Sequence, residues 1–319
     1  MGRYLIRRLL TAIPTLLLIS FVLFAIISLA PGDPMSQFAA NPAVPPEVRE
    51  NIRRSLGLDQ PWPVRYVKWI TALAHADFGY SFASHVPVVD LIKLALPNTL
   101  AVVGVAFLIS LLLAIPIGIL SAVKQYSIFD HVATTFAFVG FSVPTFFTGT
   151  MLIIILSVNL HLLPFIYDST LRVDSLASLG QQIRQSIMPI LVLALFQTAT
   201  LVRYTRASML ENLPQDYVRT ARAKGLAETG VINRHVVRNS LIPVVTLIAL
   251  SAPGVFAGAV ITEQIFRVPG IGYLLIDSIT KSDTPVIMAI TFTFAVLVVF
   301  FNLVADVMYG VLDPRIRYD

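Results

Sequence analysis

Apolar side chains in this sequence come in long uncharged blocks rather than in the short periodic patterns of a soluble core. Six blocks, at 9–29, 99–123, 132–158, 187–202, 241–262 and 284–305, contain no charged residue. A helix needs about 20 such residues to cross about 30 Å of hydrocarbon. The fourth block is the shortest, with 16 residues between Arg184 and Arg203. The aliphatic stems of those arginines let the charges reach back toward water, so this block is also read as a full crossing. The expected architecture is an all-α integral membrane protein with six transmembrane helices. The first block follows Arg3, Arg7 and Arg8 and ends near Ser28 and Ala30, as a cleaved leader would. It is longer than a leader's apolar core, and Pro31 would sit just past the cut, so a retained helix is expected.

Between the first two blocks lie 68 residues, 31–98, too many for a plain connector. Pro45 and Pro46 open a helical pattern with Glu47 and Glu50 in its first turn and Arg53 and Arg54 before Gly57, while Val48, Ile52 and Leu56 share a face. After Pro61, Trp62, Tyr66, Trp69 and Leu73 line one side of a second helix, with Arg65 and Lys68 elsewhere. Rings beside cations suit a headgroup layer, so this helix is expected on the outer membrane surface; the same spacing fits a face packed on protein. Pro14, Pro116, Gly118, Gly140, Pro144, Gly149, Pro189, Pro253, Gly254 and Gly258 fall inside the blocks. They are expected to break or thin helices there, with the freed backbone satisfied along an internal path or by tight packing.

Composition supports the membrane reading: 56% of the 319 residues are hydrophobic and mean hydropathy is +0.79. The net charge of +5 reads as topology rather than nucleic-acid affinity. With the amino terminus in the cytoplasm, 13 of the 23 basic residues fall in inner segments, and the other 10 are spread over longer outer segments. That is the positive-inside bias, and it puts both termini in the cytoplasm. No ionisable group lies inside a block, which argues against proton-coupled transport, where a titratable side chain at mid-depth does the coupling. Cysteine is absent, so disulfides and thiol chemistry are excluded. The five histidines are scattered without metal-ligand spacing; His75, His85 and His161 fall on the outer side and are read as solvated.

The most basic inner segment, 203–240, reads RYTRASMLENLPQDYVRTARAKGLAETGVINRHVVRNS. Pro214 can start a short helix through Tyr217, Val218 and Ala221, and Gly225 can supply the left-handed residue that ends it. Arg219, Arg222 and Lys224 are expected on its surface, with Ala221 and Ala223 keeping that surface low enough for another protein to approach. A basic loop that only fixes topology is the plainer reading. No G-x-x-x-x-G-K-[ST] loop is present to cradle nucleotide phosphates, so the chain is not its own motor.

YLIRRLL (4–10), PGDP (31–34), LGLDQP (56–61), DFGYS (77–81), PNT (97–99), SVPTF (142–146), QDYVRTARAKGL (215–226), RNSLIPVVT (238–246), EQIFRVPGIG (263–272) and LDPRIR (312–317) form a set spread nearly end to end. Together they resemble the permease subunits of dipeptide and oligopeptide ABC importers. The resemblance implies the type I importer permease fold in a bacterial inner membrane. It divides the chain into a helix and periplasmic segment over 1–94, a five-helix permease domain over 95–308 and a cytoplasmic tail over 309–319. It further implies that the short loop helix is a coupling helix seated in an ATPase groove, a role falling on Tyr217, Arg219, Thr220, Ala221, Arg222, Ala223, Lys224 and Gly225. The family's general pattern begins Glu-Ala-Ala, whereas Arg219, Thr220 and Ala221 stand here, so a contact made by that glutamate does not carry over.

Implied partners are a second homologous permease, two ATP-binding subunits that hold ATP and Mg, a soluble or lipid-anchored binding protein, and membrane lipid, with no nucleic acid. No cofactor, metal or catalytic residue is implied on this chain. The implied substrate is a peptide. Nickel and oligosaccharide systems use closely related machinery, and an ATP-independent secondary transporter, a passive channel and a membrane-embedded enzyme are the other classes.

Overall fold

The computed structural model describes residues 2–29, 47, 50, 54 and 59–312; the helical pattern expected over 45–57 lies largely outside them. The helices are α1 (Gly2–Leu29), α2 (Trp62–Ala74), α3 (Val88–Val123), α4 (Ile128–Ser142), α5 (Thr145–Leu152), α6 (Leu176–Asn212), α7 (Asp216–Ala223), α8 (Glu228–Val231), α9 (Arg238–Phe266), α10 (Ile271–Thr280) and α11 (Thr284–Leu312). Wider π-helical turns continue α5 (Ile153–Asn159) and α8 (Ile232–Val237). Among the described residues four helices, α1, α3, α6 and α11, are long and apolar enough to cross a membrane, and the spans number six if each of two bent pairs is one span.

The helices outrun the uncharged blocks. α6 has 37 residues, or about 55 Å of helix, so the fourth block is the middle of a long rod rather than a short crossing. The third block departs from expectation, because α4 and the α5 segment meet at 103° instead of forming one straight span. Pro144 has no N–H to donate and pushes the preceding residue out of helical geometry; Val143 accordingly sits at φ −84°, ψ 124°. Pro14, Pro116 and Pro189, expected to break or thin helices, are instead carried inside unbroken ones, as is Pro97 just before the second block. α3 also runs unbroken across position 94/95.

α3 and α6 lie side by side in the same direction. Val102, Val103 and Ala106 pack with Met188, Val192 and Leu193, Ala114 with Leu201 and Val202, and Ala122 with Met209. Between the last two levels, a β-carbon on Gly118 would lie 2.6 Å from Thr205 Cβ and 3.1 Å from the Val202 carbonyl oxygen. At the opposite end Val88, Ile92 and Ala95 of α3 close on Ile271 of α10 and on Val286, Ala289 and Ile290 of α11. α1 is peripheral and joins α11, with Arg8 3.1 Å from Asp306, so the first turns of α1 and the last turns of α11 share one side.

α2 does not present its aromatic face to a headgroup layer. Trp62 and Tyr66 stand edge-on to Phe21 (5.3 and 5.5 Å between centroids), and Trp69 stands edge-on to Phe292 at 6.2 Å. The Tyr66 hydroxyl lies 2.9 Å from that of the buried Ser20. The rings form a packing face on α1 and α11, which hydrogen-bonds the phenol as burial requires.

Gly118→Ala therefore forces α3 and α6 apart, because the neighbouring atoms are a branched side chain and backbone. Overpacking of this kind costs about 1–3 kcal/mol. Thermal unfolding of the purified chain in detergent should show a lower midpoint for Gly118→Ala, and no such fall for Gly104→Ala, whose β-carbon would meet nothing within 4 Å and which gains helix propensity.

Candidate functional site

The loop after α6 folds into a small capped knob. α7 begins with Asp216 in its first turn and ends with Arg222 in its last, so both charges complement the helix dipole. Gly225 adopts φ +77°. Its N–H donates to the Arg222 carbonyl (2.9 Å) and the Leu226 N–H to that of Ala221 (3.4 Å), the paired bonds by which a left-handed residue closes a helix. A β-carbon at Gly225 would meet nothing within 4 Å, so conformation rather than space calls for glycine here.

The knob has its own core. Val218 (0% exposed) and Ala221 (5%) pack with Val231 and Val236 after the turn, with Met209 of α6 and with Ala122 of α3. Ala221 therefore corrects the expectation that it keeps the outer surface low: it faces inward, one helical turn from Val218. Ala223, Arg219, Thr220 and Lys224 are exposed. Arg219 lies 3.6 Å from Asp216, and the Thr220 hydroxyl donates back to the Asp216 carbonyl at 2.8 Å. The Tyr217 hydroxyl donates to Asn212 Oδ1 at 2.6 Å.

Arg222 makes a two-pronged pair with Glu228 of α8 (3.1 and 2.6 Å). That hydrogen-bonded pair holds the Glu228 carboxyl below its usual range and raises the Arg222 guanidinium. Because the folded pKa of Glu228 is depressed, its contribution is present above the ordinary glutamate range and is lost as pH falls through the lowered value. Both groups are solvated, which keeps the contribution small.

Three buried carboxylates, not recognised from the sequence, pin the ends of the spans. Asp130 (2% exposed) starts α4 and receives both prongs of Arg206 from α6 at 2.7 and 2.9 Å, together with the Ser121 hydroxyl and the Tyr126 N–H. Glu263 (1% exposed), near the end of α9, accepts from the Thr99 hydroxyl (2.6 Å) and from the N–H groups of Gly272 (2.8 Å) and Tyr273 (3.1 Å) at the start of α10. Thr99 in turn accepts from the Ile271 N–H at 2.8 Å. Asp283 gathers the Ser81 hydroxyl (2.5 Å) and the Phe82 and Ala83 N–H groups (3.0 and 3.2 Å). Each carboxylate lies just outside an uncharged block, so the blocks are free of charge but the bundle they build is not. Ser127 and Asp130 have the spacing of a helix-start signal; the other two give no signal before the chain is folded.

Two family models cover nearly the whole chain: the binding-protein-dependent transport system inner membrane component over residues 114–318, and the N-terminal part of such a membrane component over residues 1–103. The chain belongs to this family of permeases. The oligopeptide transport system permease protein AppB of Bacillus subtilis is 44% identical to this permease over 319 residues, covering all of both chains. The dipeptide transport system permease protein DppB of Escherichia coli K12 is 38% identical over 338 residues, covering all of this chain and 99% of its own.

Among solved structures, the permease's fold is similar to that of a chain in the inward-facing MetNI methionine ABC transporter. The TM-score is 0.55 at 14% identity, over 70% of this chain and 96% of that one. An amino acid ABC transporter crystallised with histidines matches with a TM-score of 0.53 at 15% identity, over 70% and 94%. The permease thus has the type I importer arrangement of helices.

Two substitutions separate the knob's core from its surface. Ala221→Asp places an unpaired carboxylate against Val218, Val231 and Met209 and should open the loop to trypsin at Arg219 and Arg222, whereas Ala223→Asp should leave the digestion pattern unchanged. Asp130→Ala strands the partly buried Arg206 guanidinium and should lower stability by about 1–3 kcal/mol, the cost of leaving such a donor unmade; denaturation in mixed detergent measures the loss.

Proposed function

We propose that this permease forms half of the membrane path of a peptide importer and that α7 is the point at which separate ATPases drive it. Full-length similarity to permeases named for oligopeptide and dipeptide transport supports the solute class. The observation that carries the coupling role is the mounting of α7. Its inward residues Val218 and Ala221 are packed on Ala122 and Met209, so a push on the exposed residues Arg219, Ala223 and Lys224 is delivered to α3 and α6 together. A loop serving only to fix membrane topology needs no such core.

In this reading ATP and Mg are held by two ATP-binding subunits, a second homologous permease completes the path, and a binding protein delivers peptide from outside. Both termini lie in the cytoplasm, with Arg8 beside Asp306 on that side. The helix and outer segment over 1–94 are the part that meets the delivery side, and the helices over 95–308 form the path. To invert a two-state population from 1:99 to 99:1, ATP must favour the outward-open arrangement by about 5.5 kcal/mol. The bend at Val143–Pro144 is where the spans can take up the change.

Reconstitution with the cognate subunits tests this directly. ATP turnover should rise when the binding protein carries a dipeptide or an oligopeptide; stimulation by nickel alone would replace the solute assignment. The double substitution Arg219→Glu, Lys224→Glu should cut peptide uptake at least about tenfold by reversing two exposed charges while the permease pair still assembles, and uptake at the original rate would remove α7 from the drive. Gly225→Val, which forces a branched residue into the left-handed region at a cost of about 1–2 kcal/mol, should weaken coupling without preventing membrane insertion.

A further inference from the structure

α6 carries three arginines, and two of them find acceptors within the chain. Arg184 donates to the Leu162 carbonyl at 3.1 and 2.6 Å, and Arg206 forks onto Asp130. Arg203 has none among the described residues. Its guanidinium carbon lies 4.5 Å from the ring centroid of Phe141 and 5.4 Å from that of Tyr204, and the side chain is exposed.

The direction in which Arg203 points is informative. α4 and α6 run in opposite directions: Asp130, at the start of α4, pairs with Arg206, whereas a β-carbon on Gly140, near its end, would touch Ala199 and approach the Leu195 carbonyl. Phe141 stacks on Phe196 (6.2 Å between centroids, 15° between planes). The Phe141 ring therefore lies at about the level of residues 195–199, one to two turns before Arg203. Arg203 reaches away from the nearer polar end of α6 and into the uncharged 187–202 block. An arginine facing lipid extends the other way, toward the closest interface. A guanidinium held on an aromatic face at that depth needs water or an anion beside it. Beyond Phe196, which stacks on Phe141, an open groove of about 480 Å³ runs between α3, α4, α5 and α6, walled by Phe136, Val139, Leu195 and Phe196 and not by Arg203 or Phe141 themselves.

We propose that Arg203, seated on Phe141, is an anion subsite of the translocation path that takes the terminal carboxylate of a peptide in transit, with the peptide's apolar side chains in the adjoining groove. The proposal rests on the peptide-import reading. A free carboxylate is the one anion common to linear peptides of every sequence, and a guanidinium fork matches it in two hydrogen bonds. The groove takes side chains by apolar contact alone, which does not demand one sequence. The aromatic seat stabilises the cation between passages without supplying a competing acceptor.

The test uses the complete transporter, this chain with its cognate permease, ATPases and binding protein, in vesicles of phosphatidylcholine alone and with added phosphatidylglycerol. If the unaltered assembly imports no peptide in either, the import reading falls and the subsite falls with it. Given import, Arg203→Gln should lower uptake of a tripeptide with a free carboxyl terminus at least about tenfold, the scale of one charge-assisted contact, in both kinds of vesicle, and Arg203→Lys should recover part of it. Unchanged uptake by Arg203→Gln, or a loss confined to the anionic vesicles, which would assign Arg203 to a lipid phosphate, overturns the subsite while leaving import intact. If Arg203→Gln fails to assemble, a photoreactive benzoylphenylalanine at position 141 in the Arg203 protein decides. Labelled tripeptide should cross-link there during turnover, and its absence in an importing assembly overturns the proposal.

Discussion

The close parallel contact of α3 with α6 is the constraint on which the other elements depend. Gly118 lets the backbone of α6 approach until Thr205 fills the space a side chain would occupy. That approach sets the register at which Ala114 meets Leu201 on one side and Ala122 meets Met209 on the other. In hydrocarbon, where apolar surface gains little by hiding from lipid, small residues and tight van der Waals fit supply the association that water supplies in a soluble core. The α7 core is built on the far end of this contact, so the knob takes its position from two helices and does not hang from a flexible loop. Widening the contact would release the knob as well as the spans.

Around this pair, buried carboxylates act as fixed acceptors for backbone that would otherwise be orphaned. Glu263 receives two N–H groups from the first turn of α10, where an intrahelical partner does not exist, and Thr99 relays a third to α3. Asp283 does the same for the turn at Phe82 and Ala83, tying the segment before α3 to the entry of α11. Each of these two acceptors takes one hydroxyl and two N–H groups. The same physics makes these groups anchors: leaving a buried acceptor or donor unmade costs about 1–3 kcal/mol, more when it is charged. The elbow between α9 and α10 is therefore a bend with pinned ends.

The spans were legible in the sequence because absence of charge over about 20 residues has one physical reading in a chain this apolar. Their ends were not, since Arg184 and Arg203 looked like boundaries and are instead accommodated inside α6 by a carbonyl and an aromatic ring, as Arg206 is by a buried aspartate. Gly225 was legible as a helix stop because few residues tolerate φ +77°. The inward turn of Ala221 was carried by its i, i+3 spacing from Val218, but an eight-residue helix has too few turns for that spacing to outweigh composition. For α2 the ring positions were right and their surroundings wrong: one face of Trp62, Tyr66 and Trp69 suits headgroups or Phe21 and Phe24 equally, and only tertiary structure chooses. Pro144 and the other block prolines were alike in sequence; what distinguishes Pro144 is that the chain turns before it.

These differences sort the molecule into a stiff part and a part able to move. α3, α6 and the knob share packed levels along much of the length of the two rods, and the Asp130–Arg206 pair ties the start of α4 to them, so those elements shift as one body. The α5 segment leaves α4 at 103° and α10 leaves α9 at 77°, but Thr99 and the Ile271 packing hold the second elbow to α3. A force applied at α7 cannot change the inside of the α3–α6 pair without breaking contacts at van der Waals distance. In the proposed mechanism it would instead turn that pair against the arm beyond Pro144, where the chain has already left helical geometry. The proposed alternation of the path would need both the rigid packing at the knob and the discontinuity at Pro144.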